Sequence, residues 1–382
     1  MNIAGWAVLF AAVLAVFSTI KYFLMKRIRS KAVCVIADLL LAVATLFLGL
    51  GIIAFASKLL WKLSRPLCAL YIVLLCDAIC NCAYGIIRLI KPVRHSIENN
   101  REKWRKGRVL ALVLTAVLMF AYGTVNMERV VCEDITYSSE KLENDYDFAF
   151  FADVHAGRAQ PMKVLAGAID EIEGLNPDFV VIGGDMTDEY TSKEDMQEAY
   201  RIVGGLTMPV YFVYGNHDRQ AEADAMANGR QFTEDELREA ILSNGIIILE
   251  DESVQIAPDL LLIGREDGGR EDIDEENVVH HRKKALAELV PATESYIVTV
   301  EHQPYALAEA AAAGVDLLLS GHTHAAQLFP LQAVYNLAGI PAYGEFTEGD
   351  SVLYVSAGLS GWCYPFRTEE HSAYNMVHLR AG

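Results

Sequence analysis

The sequence predicts a chain in two parts, an all-α region of four transmembrane helices followed by an α/β sheet domain. Three observations carry this expectation. Long apolar stretches crowd the first third, charge divides sharply between the two parts, and short apolar runs alternate with amphipathic ones after Tyr146. At roughly 100–200 residues per domain, 382 residues suffice for two units. The boundaries are expected at 1–130 for the anchor and 145–382 for the sheet domain.

The apolar stretches are Ile3–Ile20, Ala32–Ser57, Leu67–Ile87 and Val109–Met127. A helix needs about 20 apolar residues to cross a ~30 Å hydrocarbon core, and each stretch is near that length or beyond it. A cleaved signal peptide fits the first one badly, because Asn2–Trp6 offers no basic lead and the basic cluster follows instead. Lys21, Lys26, Arg27, Arg29 and Lys31 flank the first connection, and Arg88 to Arg108 carry eight Lys and Arg in the third. The second connection has only Lys58, Lys62 and Arg65. The excess of positive charge puts connections one and three in the cytoplasm, so the C-terminal domain is expected on the extracytoplasmic side of the cell membrane. Asp77 and Asn81 interrupt the third stretch, where a carboxylate acts either as a functional group or as a polar contact between helices.

Residues 1–125 hold 16 Lys and Arg against 4 Asp and Glu, whereas residues 126–382 hold 16 against 46. So acidic a second part repels polyanions, and nucleic acid is not an expected partner. The run Arg282-Lys283-Lys284 is too short to change this and reads as a solvated face. Five of the seven cysteines lie in apolar stretches, where a thiol acts as a small hydrophobe; whether Cys132 and Cys363 pair stays open.

In the second part the apolar runs are Tyr146–Ala152, Phe179–Ile182, Val210–Tyr214, Tyr296–Val300 and Val315–Leu319. Between them lie helix candidates at Met162–Leu175, Lys193–Leu206 and Phe232–Ser243, the last opening with the Thr233-x-x-Glu236 spacing of a capping box. Strands that alternate with helices argue for an α/β sheet whose active groups lie beyond the strands' carboxyl ends. The runs do end in chemistry: Asp153-Val154-His155, Gly183-Gly184-Asp185, Gly215-Asn216-His217-Asp218, Glu301-His302 and Gly321-His322-Thr323-His324. Five of the ten histidines sit at these tips. A lone Asp-x-His also suits a cap and a lone Gly-Asp a turn, but neither explains five metal-capable tips in succession. Two imidazoles two residues apart on an extended segment also share one side.

These five blocks, in this order, resemble the signature of the calcineurin-like metallophosphoesterases from Tyr146 onward. Glu301–Pro304, Leu317–Gln327 and Val355–Arg367 are further similar to a bacterial membrane-associated subgroup typified by YkuE and YaeI. The resemblance implies an αββα two-sheet sandwich and a hydrolase of phosphate esters that uses two divalent metal ions. By the same resemblance, Asp153, His155, Asp185 and His324 hold one metal. Asp185, Asn216, His302 and His322 hold the other, with Asp185 shared. A bridging hydroxide is then the nucleophile, His217 the general acid and Asp218 its orienting partner. Ala325-Ala326-Gln327 departs from the glycine usual after the last histidine, which bears on loop shape rather than on the ligands.

Mixed O and N ligands suit Mn, Fe or Zn better than an all-oxygen Mg or Ca cage. Two dications against Asp153 and Asp185 leave local positive charge, which draws a phosphate even to an acidic domain. Arg158 is more a surface arginine than a phosphate contact, and Asp188 more a loop-orienting residue than a ligand. Phosphodiesters or phosphomonoesters are the expected substrates, and a mouth near a bilayer brings phospholipid and other lipid-linked or cell-envelope esters within reach. The competing reading is a catalytically silent membrane sensor or scaffold with a metal-binding domain. A degenerate copy of that kind usually lacks a ligand, and none is missing here.

Overall fold

The computed structural model describes residues 64–157, 159–219, 230–267, 271–274, 277–280, 284–362 and 365–382. The first two expected spans, Arg158, Arg282, Lys283 and Cys363 lie outside the described residues. The chain divides into two compact units, with the boundary between Tyr122 and Gly123.

In the first unit, helices α1 (Ser64–Ile87), α2 (Lys91–Asn99) and α3 (Arg101–Glu128) follow in close succession. The third expected span falls in α1 and the fourth in α3. Four continuous spans are not shown. Among the described residues α3 is long and apolar enough to cross a membrane by itself. Residues from Tyr71 of α1 meet the same test only jointly with α2, across a bend of 111°. The bend follows Arg88–Ile90, and Pro92 opens α2, where a missing N–H costs nothing. Asp77 accepts from Asn81 Nδ2 at 2.7 Å, and Asn81 Oδ1 accepts from Arg108 Nη2 at 2.5 Å. Val113, Val117 and Leu118 on α3 are more than half exposed, whereas Gly123, Asn126 and Met127 in its last turns are buried.

The second unit is built on two six-stranded sheets and also holds a short antiparallel pair, β8 (Glu271–Asp274) with β9 (Asn277–His280). The first runs β1 (Val130–Ser139), β14 (Ser372–Ala381), β2 (Tyr146–Phe151), β3 (Phe179–Ile182), β4 (Val210–Phe212) and β5 (Ile247–Ile248). The second runs β12 (Gly344–Glu348), β13 (Ser351–Val355), β11 (Leu317–Ser320), β10 (Tyr296–Val300), β7 (Leu260–Gly264) and β6 (Glu252–Ala257). Strands β2 to β5 are mutually parallel, as are β7, β10, β11 and β13, while β6 and β12 close the second sheet as antiparallel edges.

Alternation along β2 assigns the layers. Phe148 and Phe150 pack with Leu262, Val298, Leu317 and Leu319 of the second sheet, so this apolar layer lies between the sheets. Ala149 and Phe151 point the other way, onto Leu165 and Ile169 of α4 (Met162–Leu175), Met196 of α5 (Lys193–Val203) and Leu237 of α6 (Glu234–Ser243). Leu286 of α7 (Leu286–Leu289) and Ala310 of α8 (Leu307–Ala313) cover the far face of the second sheet with Leu318 and Val355. The result is helix, sheet, sheet, helix. Two parallel sets, facing one another across an apolar layer, thus bring the carboxyl ends of β2, β3, β4, β10 and β11 together. Local signals agree: Thr233 and Glu236 form both bonds of the capping box, and Ser192 caps α5 through the Asp195 amide.

Candidate metal centre

Each expected tip follows its strand directly. Asp153 and His155 come after β2, Asp185 after β3, Asn216 to Asp218 after β4, His302 after β10, and His322 and His324 after β11. They converge into two groups, Asp153 with His155 and His324, and Asp185 with His302 and His322. Within each group the potential ligand atoms lie within 4.8 Å of one another. Asp185 Oδ2 stands 3.8 Å from His155 Nε2 of the first group and 3.0 Å from His302 Nε2 of its own. Asp153 Oδ1 stands 3.7 Å from His324 Nε2 and 4.0 Å from His302 Nε2. Donors bonded at ~2.1 Å to one cation sit roughly 3.0–3.4 Å apart, and the pairs at 3.0, 3.7 and 3.8 Å lie close to that spacing.

The imidazoles are held for coordination. His302 Nδ1 donates to Gly183 O at 2.8 Å and His324 Nδ1 to Ser360 O at 2.9 Å, which turns each Nε2 to the carboxylates. His322 Nδ1 meets Asn216 Oδ1 at 2.8 Å, which brings the asparagine to the second group. Both ring nitrogens of His155, His302 Nε2 and Asp185 Oδ2 are buried and make no hydrogen bond. Buried polar atoms are seldom left so, and the three that face one another, His155 Nε2, His302 Nε2 and Asp185 Oδ2, fit a pair of cations.

Holding these tips together strains the backbone. Of ten non-glycine residues with positive φ among the described residues, eight are Asp153, His155, Asp185, His322, His324, Ala325, Ala326 and Gln327. Such strain collects where a site is fixed by its surroundings. The glycines of the motifs make room. A Cβ on Gly215 would fall 2.2 Å from Asp185 Oδ1, and one on Gly321 2.4 Å from Asp153 Oδ2. Either methyl group would displace a ligand.

His217 lies beside the first group, its ring 5.1 Å from that of His155. Its Nδ1 meets Glu189 Oε2 at 2.9 Å, and both side chains are nearly buried. Burial pulls the His217 pKa down, but Asp185, Glu189 and Asp188 outweigh it and push it up to about 9. Asp218 is not the ring's partner, contrary to the sequence expectation. Its Oδ2 accepts from the amides of Asp185 and Gly215, and its Oδ1 from the amide and hydroxyl of Thr187. Four such bonds saturate the carboxylate, so it clamps the β3 and β4 loops together. Adjacent residues on a turn point in different directions, and that separates Asp218 from the ring next to it.

Burial works against the charge of His302, yet Asp185 and Asp153 raise it to about 10. Burial lowers His322 to about 3, helped by the positive charge of His302. His324 is likewise held well down by burial, with His155 adding to it. Burial lifts Asp153 to about 6. For Asp185 burial is overcome by His302, His217 and His155, and its carboxyl stays well below the usual range.

Arg367 is fully buried behind His324. It donates through Nη2 to His324 O at 2.6 Å and Ala357 O at 2.5 Å, and through Nη1 to Gly358 O at 3.3 Å and Ser372 Oγ at 3.2 Å. Its own amide donates to Gly123 O at 3.0 Å. Gln327 joins the Trp362 amide to Phe366 O. Asp188 caps its loop through the Tyr190 amide and reaches His155 Nδ1 at 3.5 Å, the orienting part expected of it. The sequence did not mark Glu189, and it marked Arg367 only as the end of the segment Val355–Arg367, without a role. Glu189 stands one residue past Asp188 in an acidic stretch without motif character, and Arg367 lies 43 residues beyond the carbonyl it holds.

Residues 146–326 match the family model of the Calcineurin-like phosphoesterase. A zebrafish (Danio rerio) protein named "Transmembrane protein with metallophosphoesterase domain" is 30% identical over 298 residues, covering 71% of this chain and 62% of its own length. A Bos taurus protein of the same name is 26% identical over 89% of this chain and 80% of its own. An "Uncharacterized metallophosphoesterase" of Helicobacter pylori is 26% identical over 232 residues, 60% of this chain and 58% of its own. The chain thus spans about 60% of the length of the first of these relatives. Within residues 146–326 the chain is thus similar to calcineurin-like phosphoesterases.

Proposed function

We propose that the chain hydrolyses a phosphate ester at a dinuclear centre formed by the loop tips. Asp153, His155, Asp185 and His324 hold one cation, and Asp185, Asn216, His302 and His322 the other. The observation that carries this reading is the place of Asp185 Oδ2, which faces a ring nitrogen of each group. The donor set suits Mn, Fe or Zn. When bound, the two cations supply Lewis acidity to the phosphoryl oxygens and lower the pKa of the attacking water.

The remaining steps belong to the chain. His217 is charged at neutral pH by its raised pKa, and with Nδ1 taken by Glu189 its Nε2–H is the proton the leaving oxygen receives. Glu189 positions the ring, and Asp218 keeps Asp185 and Asn216 in register.

Residues 1–130 are proposed as a four-span anchor and 145–382 as the catalytic domain, facing out of the cytoplasm. The relatives' names and the exposed apolar face of α3 support a membrane setting. A phosphodiester or phosphomonoester on a lipid or cell-envelope carrier is the substrate that setting favours, in keeping with the bacterial membrane-associated subgroup. Metal analysis and turnover of Asp185→Asn and His217→Ala test the proposal. The first is expected to lose metal and activity, the second to keep metal and lose rate. Activity in both would remove the mechanism, and full metal without turnover of any ester in the wild type would favour a silent sensor. Turnover of soluble diesters with indifference to every phospholipid would end the lipid reading alone.

A further inference from the structure

A cavity of about 550 Å³ opens in the first unit between α1, α2 and α3, and none of the proposed metal ligands lines it. Five arginines line it: Arg88 at the end of α1, Arg94 on α2, and Arg101, Arg105 and Arg108 on α3. The last three recur at spacings of four and three, which puts them on one face of the helix. Two carboxylates, Asp77 and Glu98, share the lining, so the wall carries an excess of three positive charges.

At the floor the guanidinium of Arg108 is fixed. It donates to Asn81, which in turn donates to Asp77, and its Cζ stacks 4.3 Å over the Tyr84 ring. Arg88 approaches the same ring at 5.7 Å. Arginines gathered around one hollow repel each other unless an anion joins them, and a guanidinium fork matches two oxygens of a phosphate. Leu112 and Val109 continue the lining into the apolar part of α3, so the hollow lies where charged helix gives way to apolar helix. Basic pockets at that level of a membrane helix bundle suit anionic headgroups.

We propose that this cavity is a binding site for a phosphate group, either the headgroup of an anionic phospholipid or a free phosphate. Arg101, Arg105 and Arg94 supply movable contacts and Arg108 the fixed one. The site is independent of hydrolysis, so its failure leaves the proposed activity untouched, and the reverse also holds.

The test uses the full chain in detergent and measures two probes. One is retention of phosphatidic acid against phosphatidylcholine by native mass spectrometry, and the other is binding of inorganic phosphate by calorimetry. Two double variants remove equal charge from the same helix: Arg101→Gln with Arg105→Gln in the cavity, and Lys103→Gln with Lys106→Gln outside this cavity's lining. Unchanged helical circular dichroism and elution volume in detergent verify that each variant folds. The arginine pair is expected to weaken binding about tenfold or more, the loss of a charge-assisted contact, while the lysine pair changes it little. Selective phosphatidic acid retention identifies a headgroup site, and binding of inorganic phosphate alone a soluble-phosphate site. Equal loss in the two double variants, or binding of neither probe by the wild type, overturns the proposal.

Discussion

Removing one charge from Glu189 isolates the proton donor from the metals. Glu189→Gln keeps a hydrogen-bonding oxygen near His217 Nδ1 but takes away a nearly buried carboxylate 2.9 Å from the ring. An opposite charge at such range shifts a pKa by about 1–3 units, and Asp185 and Asp188 remain, so a fall of about 1–2 units is expected. That is worth roughly 1.4–2.7 kcal/mol at the ring. Because the folded pKa is raised to about 9, the charged acid is present below it and lost as pH rises through it. The variant should therefore lose kcat/KM from its basic side, with the limb moved about 1–2 pH units lower. The assay is the pH dependence of kcat/KM on two diesters, one with an aryl and one with an alkyl leaving group. An alkoxide needs the proton and an aryl oxide far less, so the alkyl substrate should suffer more. An unmoved limb, or equal loss on both substrates at unchanged metal content, would refute the assignment of His217 as acid and Glu189 as its positioning partner.

Other consequences follow from the same geometry. Arg367→Met leaves three carbonyls behind His324 without their buried donor, and should destabilise the domain by about 3 kcal/mol or more, read as a lower denaturation midpoint. Ala326 holds a left-handed backbone at a cost of about 1–2 kcal/mol, against about 0.4–1 kcal/mol of chain entropy added by glycine. Ala326→Gly should thus keep or raise Tm, and a clear fall would show that the alanine methyl group is needed. His302 lies near 10 without metal, so loading displaces its proton and uptake of Mn²⁺ should strengthen from about pH 6 to about pH 8. Titrations that give the same affinity across that range would contradict a protonated His302.

Much of the centre was legible because strand ends are legible. Phe179–Ile182 and Tyr296–Val300 are continuous apolar runs, as strands buried on both faces must be, and each stops where a ligand begins. Helix α4 follows its apolar spacing from Met162 to Leu175 without a residue's difference. What sequence could not give was direction in space. Asp218 adjoins His217 in the chain but turns to the amides of Asp185 and Gly215, while Glu189, 28 residues away, takes the ring. The outer strands are equally silent. Strand β1 pairs with β14 across some 240 residues, and no local pattern reports so distant a partner. The end of α3 was expected in the bilayer for its apolar composition. Its last residues, from Gly123, belong instead to the second unit, within which Asn126 donates to the carbonyls of Glu369 and Glu370.

The most direct measurement is anomalous diffraction from crystals loaded with Mn²⁺. Two peaks about 3.5–4 Å apart, with Asp185 Oδ2 between them, are the predicted result. A single peak, or manganese bound away from Asp185, would contradict the dinuclear centre.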